Sequence, residues 1–162
     1  MSGGCGPKPA SSYGIDYIEP SYPTQEVRDM ANEFILEGFE RDVAVDMSGL
    51  KVVFVPEIPC PECTKGQAIL GTCLMGLKFV NLNEETWTER NEWANKATLF
   101  HELGHCILGR GHYIGKDKSL MTAFIPATST FKTYYEDYLD ELFNPSLGLY
   151  EDLFDDEYEE IE

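Results

Sequence analysis

Positive charge is scarce in this chain. Only 12 Lys and Arg stand against 29 Asp and Glu in 162 residues, a formal net charge of −17. A surface so negative repels phosphate backbones and anionic headgroups, which excludes nucleic acid and acidic membrane surfaces as expected partners. Long apolar runs are also missing. None approaches the roughly 18 residues of a spanning helix, so no transmembrane segment is expected. No apolar stretch follows Met1 in the manner of a secretory signal, and no internal repeat is visible. Histidine is scarce too, with three in the whole chain.

What is present suffices for a fold. Hydrophobic residues make up 43% and aromatics 12%, ordinary globular usage that supports one core. The length argues for one domain. Residues 1–20, beginning MSGGCGPKPASS, are rich in Gly, Pro and Ser and read as a flexible N-terminal segment. Residues 21–148 read as the folded domain, and 149–162 as an acidic tail. Eight of the twelve residues Glu151–Glu162 are Asp or Glu, which reads as a solvated, self-repelling block.

The pattern along the domain alternates between helix and strand. Residues 24–41 place Val27, Met30, Ala31, Phe34, Ile35 and Phe39 at three- and four-residue steps, an amphipathic helix with Thr24 as its N-cap. Leu50–Val55 is a β-branched run that reads as a buried strand, closed by Pro56, Pro59 and Pro61. Leu77–Asn83 alternates as a second strand. From Asn91 to Leu108 the residues Trp93, Ala97, Phe100, Gly104 and Ile107 form a helical stripe, with Gly109 and Gly111 as its stop. Ser129 or Thr130 caps a last helix with Phe131, Tyr135, Tyr138 and Leu142 on one face, ended by Asn144-Pro145. The expected fold is a compact α+β domain with a small mixed sheet.

Five cysteines is an odd count. Cys60, Cys63 and Cys73 crowd one loop, and the expected pairing is a disulfide between Cys73 and one of the other two. A structural zinc site in that loop is the alternative, with Cys106 or Cys5 as the fourth ligand. Cys106 lies within the long helix and reads as a small buried apolar residue. The segment SGGCG, followed by a Pro/Ser stretch, resembles the region just after cleavage in bacterial lipoproteins. By that likeness Cys5 would carry a lipid anchor.

All three histidines fall within twelve residues: His101-Glu102-Leu103-Gly104-His105-Cys106-Ile107-Leu108-Gly109-Arg110-Gly111-His112. Four residues along a helix amount to about 40° of rotation, so His101 and His105 project side by side. Two imidazoles one turn apart can share a tetrahedral Zn²⁺. Glu102 follows the first ligand, where its carboxylate can reach a water that the metal activates. Gly109 lets the chain turn and bring His112 back as a third ligand, leaving one coordination position open. An open position marks a catalytic zinc.

With Ser119-Leu120-Met121 following, this segment resembles the metzincin metallopeptidases, whose pattern is HExxHxxGxxH and then a Met-turn. The resemblance covers residues 97–124. It implies a zinc endopeptidase acting on protein or peptide, with His101, His105 and His112 as ligands, Glu102 as catalytic base and Met121 as an apolar floor. One residue is inserted here: the family's glycine position holds Leu108, and the glycine is Gly109. The helix is therefore expected to run one residue longer. Position 123 is Ala, so the tyrosine ligand of some metzincins is missing. The strand before the active-site helix, Lys78–Asn83, would be a sheet edge to which extended substrate adds; the plainer alternative is an ordinary edge protected by Lys78, Asn81 and Asn83. Tyr113, Tyr134 and Tyr135 are candidates for stabilising an oxyanion.

Two other readings stand beside this one. A gluzincin-type peptidase would take its third ligand from Glu136 or Glu141 in the 134–142 helix. A non-catalytic binding or assembly protein would keep the fold without the chemistry, although an intact Glu102 speaks against it. The expected location is extracytoplasmic: secreted, lipid-anchored or virion-associated.

Overall fold

The computed structural model describes residues 16–64, 67–115 and 118–144. Cys5, the N-terminal Gly/Pro/Ser segment through residue 15, Pro145 and the acidic tail lie outside these, and so do the expectations attached to them. The elements are α1 (Gln25–Glu40), β1 (Lys51–Val55), β2 (Gly71–Leu74), β3 (Phe79–Asn83), α2 (Glu84–Glu89), α3 (Glu92–Cys106), α4 (Thr128–Thr133) and α5 (Tyr135–Leu142). A short 3₁₀ turn, Met75–Leu77, joins β2 to β3. The domain is α+β, with five helices and a three-stranded mixed sheet among the described residues.

Local chemistry sets most boundaries. Thr24 Oγ1 accepts from the Val27 N–H at 3.2 Å and starts α1. The buried face of α1 carries Val27, Met30, Ala31, Phe34 and Gly38. Phe39, expected on that stripe, is 72% exposed. Gly38 takes its place because a Cβ there would press on Val45 and Phe143, so the face turns toward the residue without a side chain. At the chain start Gly49 donates to the Ile18 carbonyl, and Ser21 bridges to Lys51, tying residues 18–21 to β1.

The strand order is β1-β3-β2, with β1 parallel and β2 antiparallel to β3. This corrects the expectation that Lys78–Asn83 forms a sheet edge. β3 is the central strand, paired on both sides, and β2 is the edge on the α3 side. The polar residues expected to protect an edge have other partners. Asn81 Nδ2 donates across the ladder to Thr72 Oγ1, Asn83 Nδ2 donates to the Ile69 carbonyl, and Lys78 Nζ donates to the Asp46 and Ser48 carbonyls. β2 escaped notice because Gly71-Thr72-Cys73-Leu74 is too short to show alternation.

α3 starts at Asn91, whose Oδ1 accepts from the Ala94 N–H at 2.9 Å. It is buried on every face from Ala94 to Cys106, not along a single stripe. The sheet covers one side, α1 another, and α4 and α5 close the rest. Phe34 of α1 meets Phe100 of α3 edge to face, with ring centroids 5.2 Å apart. Each such fully buried aromatic contributes about 1.5–3 kcal/mol of apolar transfer, enough to fix how α1 crosses α3. The expected last helix is two helices, α4 and α5, broken at Tyr134. Phe131, Tyr138, Leu139 and Leu142 close the core from that side.

Two disulfides are present among the described residues: Cys60–Cys63 and Cys73–Cys106. Both differ from the expected pairing of Cys73 with the CPEC loop. Cys106 is a bridge residue rather than a free apolar side chain, and the CPEC pair closes on itself. All four thiols are thereby used, which removes the structural zinc alternative in that loop. The reason is topological: β2 packs on α3, which brings Cys73 beside Cys106, 33 residues away.

Candidate metal centre

His101 and His105 lie on consecutive turns of α3, buried between the helix and the loop that follows it. Their Nε2 atoms face each other at 3.2 Å. Each ring is held from its other nitrogen: His101 Nδ1 lies 2.5 Å from the Leu120 carbonyl, and His105 Nδ1 lies 2.6 Å from the Arg110 carbonyl. A carbonyl can only accept, so Nδ1 carries the proton in both rings and Nε2 presents a lone pair. Two ring nitrogens converging at this distance can share a cation. Tetrahedral ligands at roughly 2.0–2.1 Å from zinc would stand about 3.3 Å apart, close to what is seen.

His112 joins them. Its ring centroid lies 5.4 Å from that of His101 and 5.0 Å from that of His105. One nitrogen from each of the three histidines falls within a group spanning no more than 4.8 Å. Among the described residues no other cluster of His, Cys, Asp or Glu is placed to hold a metal ion. The three histidines therefore form a site able to bind one.

The helix does not run one residue longer, contrary to expectation. α3 ends at Cys106. The Leu108 N–H then reaches back five residues to the Leu103 carbonyl at 3.3 Å, and the Arg110 N–H six residues to the Gly104 carbonyl at 2.9 Å. These wide turns carry the chain past the end of the helix. Gly109, at φ +69°, supplies the left-handed step that returns the chain toward the metal site.

Met121 packs against α3 at Gly104, fully buried. A Cβ at Gly104 would overlap its sulfur, so Gly104 exists to let Met121 approach the helix one residue before His105. The turn carrying it is held by two bonds: the Met121 N–H donates to Ser119 Oγ at 2.9 Å, and the Met121 carbonyl accepts from the Tyr113 N–H at 2.7 Å. Leu120, next to it, supplies the carbonyl that orients His101.

Glu102 is 1% exposed and lies against the edge strand. A Cβ on Gly71 would sit 3.1 Å from its Cγ and 3.2 Å from its Oε1, so β2 passes directly over the carboxylate. The two glutamates considered as a third ligand have partners elsewhere. Glu136 Oε2 receives Arg41 Nη2 at 2.6 Å, and Glu141 Oε1 receives Arg110 Nη2 at 2.7 Å. Of the candidate tyrosines, Tyr135 donates its hydroxyl to Glu37 Oε1. Burial, with Glu37 beside it, raises its pKa well above the usual phenol range. Tyr134 is 42% exposed beneath the Lys118 ammonium, and Tyr113 follows His112 on the return loop.

Gly71 and Arg110 are participants that motif reading missed, and it gave no role to Ser119 or Leu120. Leu120 acts through its carbonyl, which no side-chain pattern reports. Arg110 had a signal, since a lone charge between two glycines in an otherwise apolar ILGRGH segment needs a buried partner.

Fold and site together define an α+β domain with a three-histidine group able to hold a metal ion. No family model, no curated protein and no solved structure matches the chain.

Proposed function

We propose that this chain is a zinc endopeptidase of the metzincin type. The observation that carries the reading is the convergence of His101, His105 and His112, with the first two rings oriented by backbone carbonyls. Carbonyl-oriented imidazoles are how proteins ready histidine for a metal. The all-nitrogen donor set suits zinc, and three protein ligands leave a position for chemistry. Buried Met121 beneath Gly104 and the glycine-mediated turn to His112 add to the likeness.

Zinc held there would supply a Lewis acid that polarises a peptide carbonyl and acidifies water. The chain's own residues do the rest. Glu102, adjoining His101 and screened from bulk solvent by β2, accepts the proton of the attacking water and returns it to the leaving amine. The open edge of β2, rather than β3, offers main-chain groups to an extended substrate, and Gly71 brings that edge to the carboxylate. Two disulfides fit an oxidising, extracytoplasmic setting, and no described helix is long and apolar enough to cross a membrane.

Metal analysis of the purified chain should find about one zinc per chain. On an unfolded casein substrate, Glu102→Gln should keep that zinc while losing at least about 10²-fold in rate. Equal rates in the two proteins would sink the peptidase reading and leave a zinc-binding assembly protein. His112→Ala should weaken zinc strongly, and Glu136→Gln should leave it at the wild-type level; the reverse pattern would favour a glutamate third ligand.

A further inference from the structure

Arg110 is 2% exposed, among the most buried large side chains of the protein. Its guanidinium reaches the far end of α5. Nη1 donates to the Glu141 carbonyl at 2.9 Å and the Leu142 carbonyl at 3.2 Å, and Nη2 donates to Glu141 Oε1 at 2.7 Å. Its backbone works on the metal site. The Arg110 N–H closes the wide turn onto Gly104, and its carbonyl accepts the His105 Nδ1 proton. One residue thus joins the last carbonyls of α5 to the orientation of a metal-site histidine, two positions before His112.

Stability alone does not account for this arrangement. A buried ion pair contributes little net stability compared with apolar residues of the same volume, because desolvation offsets the attraction. Here Arg110 Nε and Glu141 Oε2 also lack hydrogen-bond partners among the described residues. A planar fork that spans two carbonyls and a carboxylate does, however, fix where its own backbone lies.

We infer that Arg110 is a positioning residue: clamped to the C-terminus of α5, it sets the carbonyl that orients His105 and the turn that delivers His112. The inference rests on the three-histidine metal reading. The wide turn departs from a regular helix end, and the guanidinium fixes the backbone there.

The test uses the full chain loaded with Co²⁺, whose visible absorption reports ligand geometry, together with zinc affinity from chelator competition. The double variant Arg110→Met/Glu141→Leu removes the clamp without leaving a buried unpaired charge. Arg110→Lys keeps the charge but cannot span both carbonyls, and serves if the double variant does not fold. Arg41→Met is the control, since Arg41 also grips α5, through Glu136 and Asp140, on its exposed side. The expected result is a changed cobalt spectrum and at least tenfold weaker zinc in the clamp variants, with both readouts unchanged in Arg41→Met. A wild-type spectrum and affinity in either folded clamp variant would overturn the positioning role. An equal change in Arg41→Met would overturn it too, by showing a general loosening of α5. Wild-type protein that took up no cobalt would be a different failure, sinking the metal site itself.

Discussion

The two halves of α3 are one continuous helix held by different kinds of interaction. In the first half most hydrogen bonds are local, although Trp93 packs on Phe131 and Tyr135. Asn91 caps it, Asn95 bonds the Trp87 carbonyl eight residues back, and Thr98 bonds the Ala94 carbonyl. Its distant polar contacts are the Lys96–Glu33 ion pair and the Asn91–Thr128 hydrogen bonds. The second half is fixed from afar. His101 bonds Leu120, nineteen residues on, Cys106 bridges to Cys73, and Gly104 seats Met121. Helical geometry alone brings His101 and His105 together, but it cannot choose their ring orientation or supply His112. The half that bears the three histidines is therefore the half whose own side-chain bonds are made mainly to distant segments.

Breaking the second half at the ligands should have the largest effect. In His101→Ala/His105→Ala, zinc affinity should fall at least about 10³-fold, or roughly 4 kcal/mol, by chelator competition. Unchanged affinity would show that this end of α3 is only a packed helix.

The cross-link comes next. Removing Cys73–Cys106 with paired serines frees a separation of 33 residues, and the chain-entropy treatment assigns that about 3–4 kcal/mol. Thermal unfolding should drop by roughly 7–15 °C at this size. The same change at Cys60–Cys63, with a separation of three, should cost clearly less. Equal losses at the two bridges would mean that the end of α3 is held by packing alone.

A smaller effect is expected where Met121 packs on α3. Gly104→Ala drives a methyl into Met121 and should cost about 1–3 kcal/mol in chemical denaturation. Adding Met121→Ala should cost less in that background than in the wild type, because the two side chains compete for one space. Strict additivity would show that Gly104 does not serve Met121.

The smallest effect belongs to the first half. Asn91→Ala removes a local cap and should cost about 1 kcal/mol in denaturation while leaving zinc affinity unchanged. A weakened metal site in that variant would erase the distinction between the halves.

The same division separates what could be read from residues and what could not. The α+β class, α1 with its Thr24 cap, β1 and the span of α3 follow from periodicity and capping, which act within about four residues. The proximity of His101 and His105 follows from helical pitch. β2 was hidden by its four-residue length, and α2 by a similarly short span. Phe39 was misplaced because the close approach at Gly38, not its own apolar character, decides which face of α1 is buried.

Sequence by itself determined which side chains could hold a metal, that two of them share a helix face, and that the chain can turn after them. Tertiary structure decided the rest: β3 at the centre of the sheet, the pairing of Cys73 with Cys106, the anchoring of Glu141 on Arg110, and the carbonyls that fix the tautomers of His101 and His105. The physical reason is range. Propensity, periodicity and caps are settled by neighbours a turn away. These pairings instead join residues up to 33 apart and form only after the sheet, α3 and α5 have packed, so no local pattern encodes them.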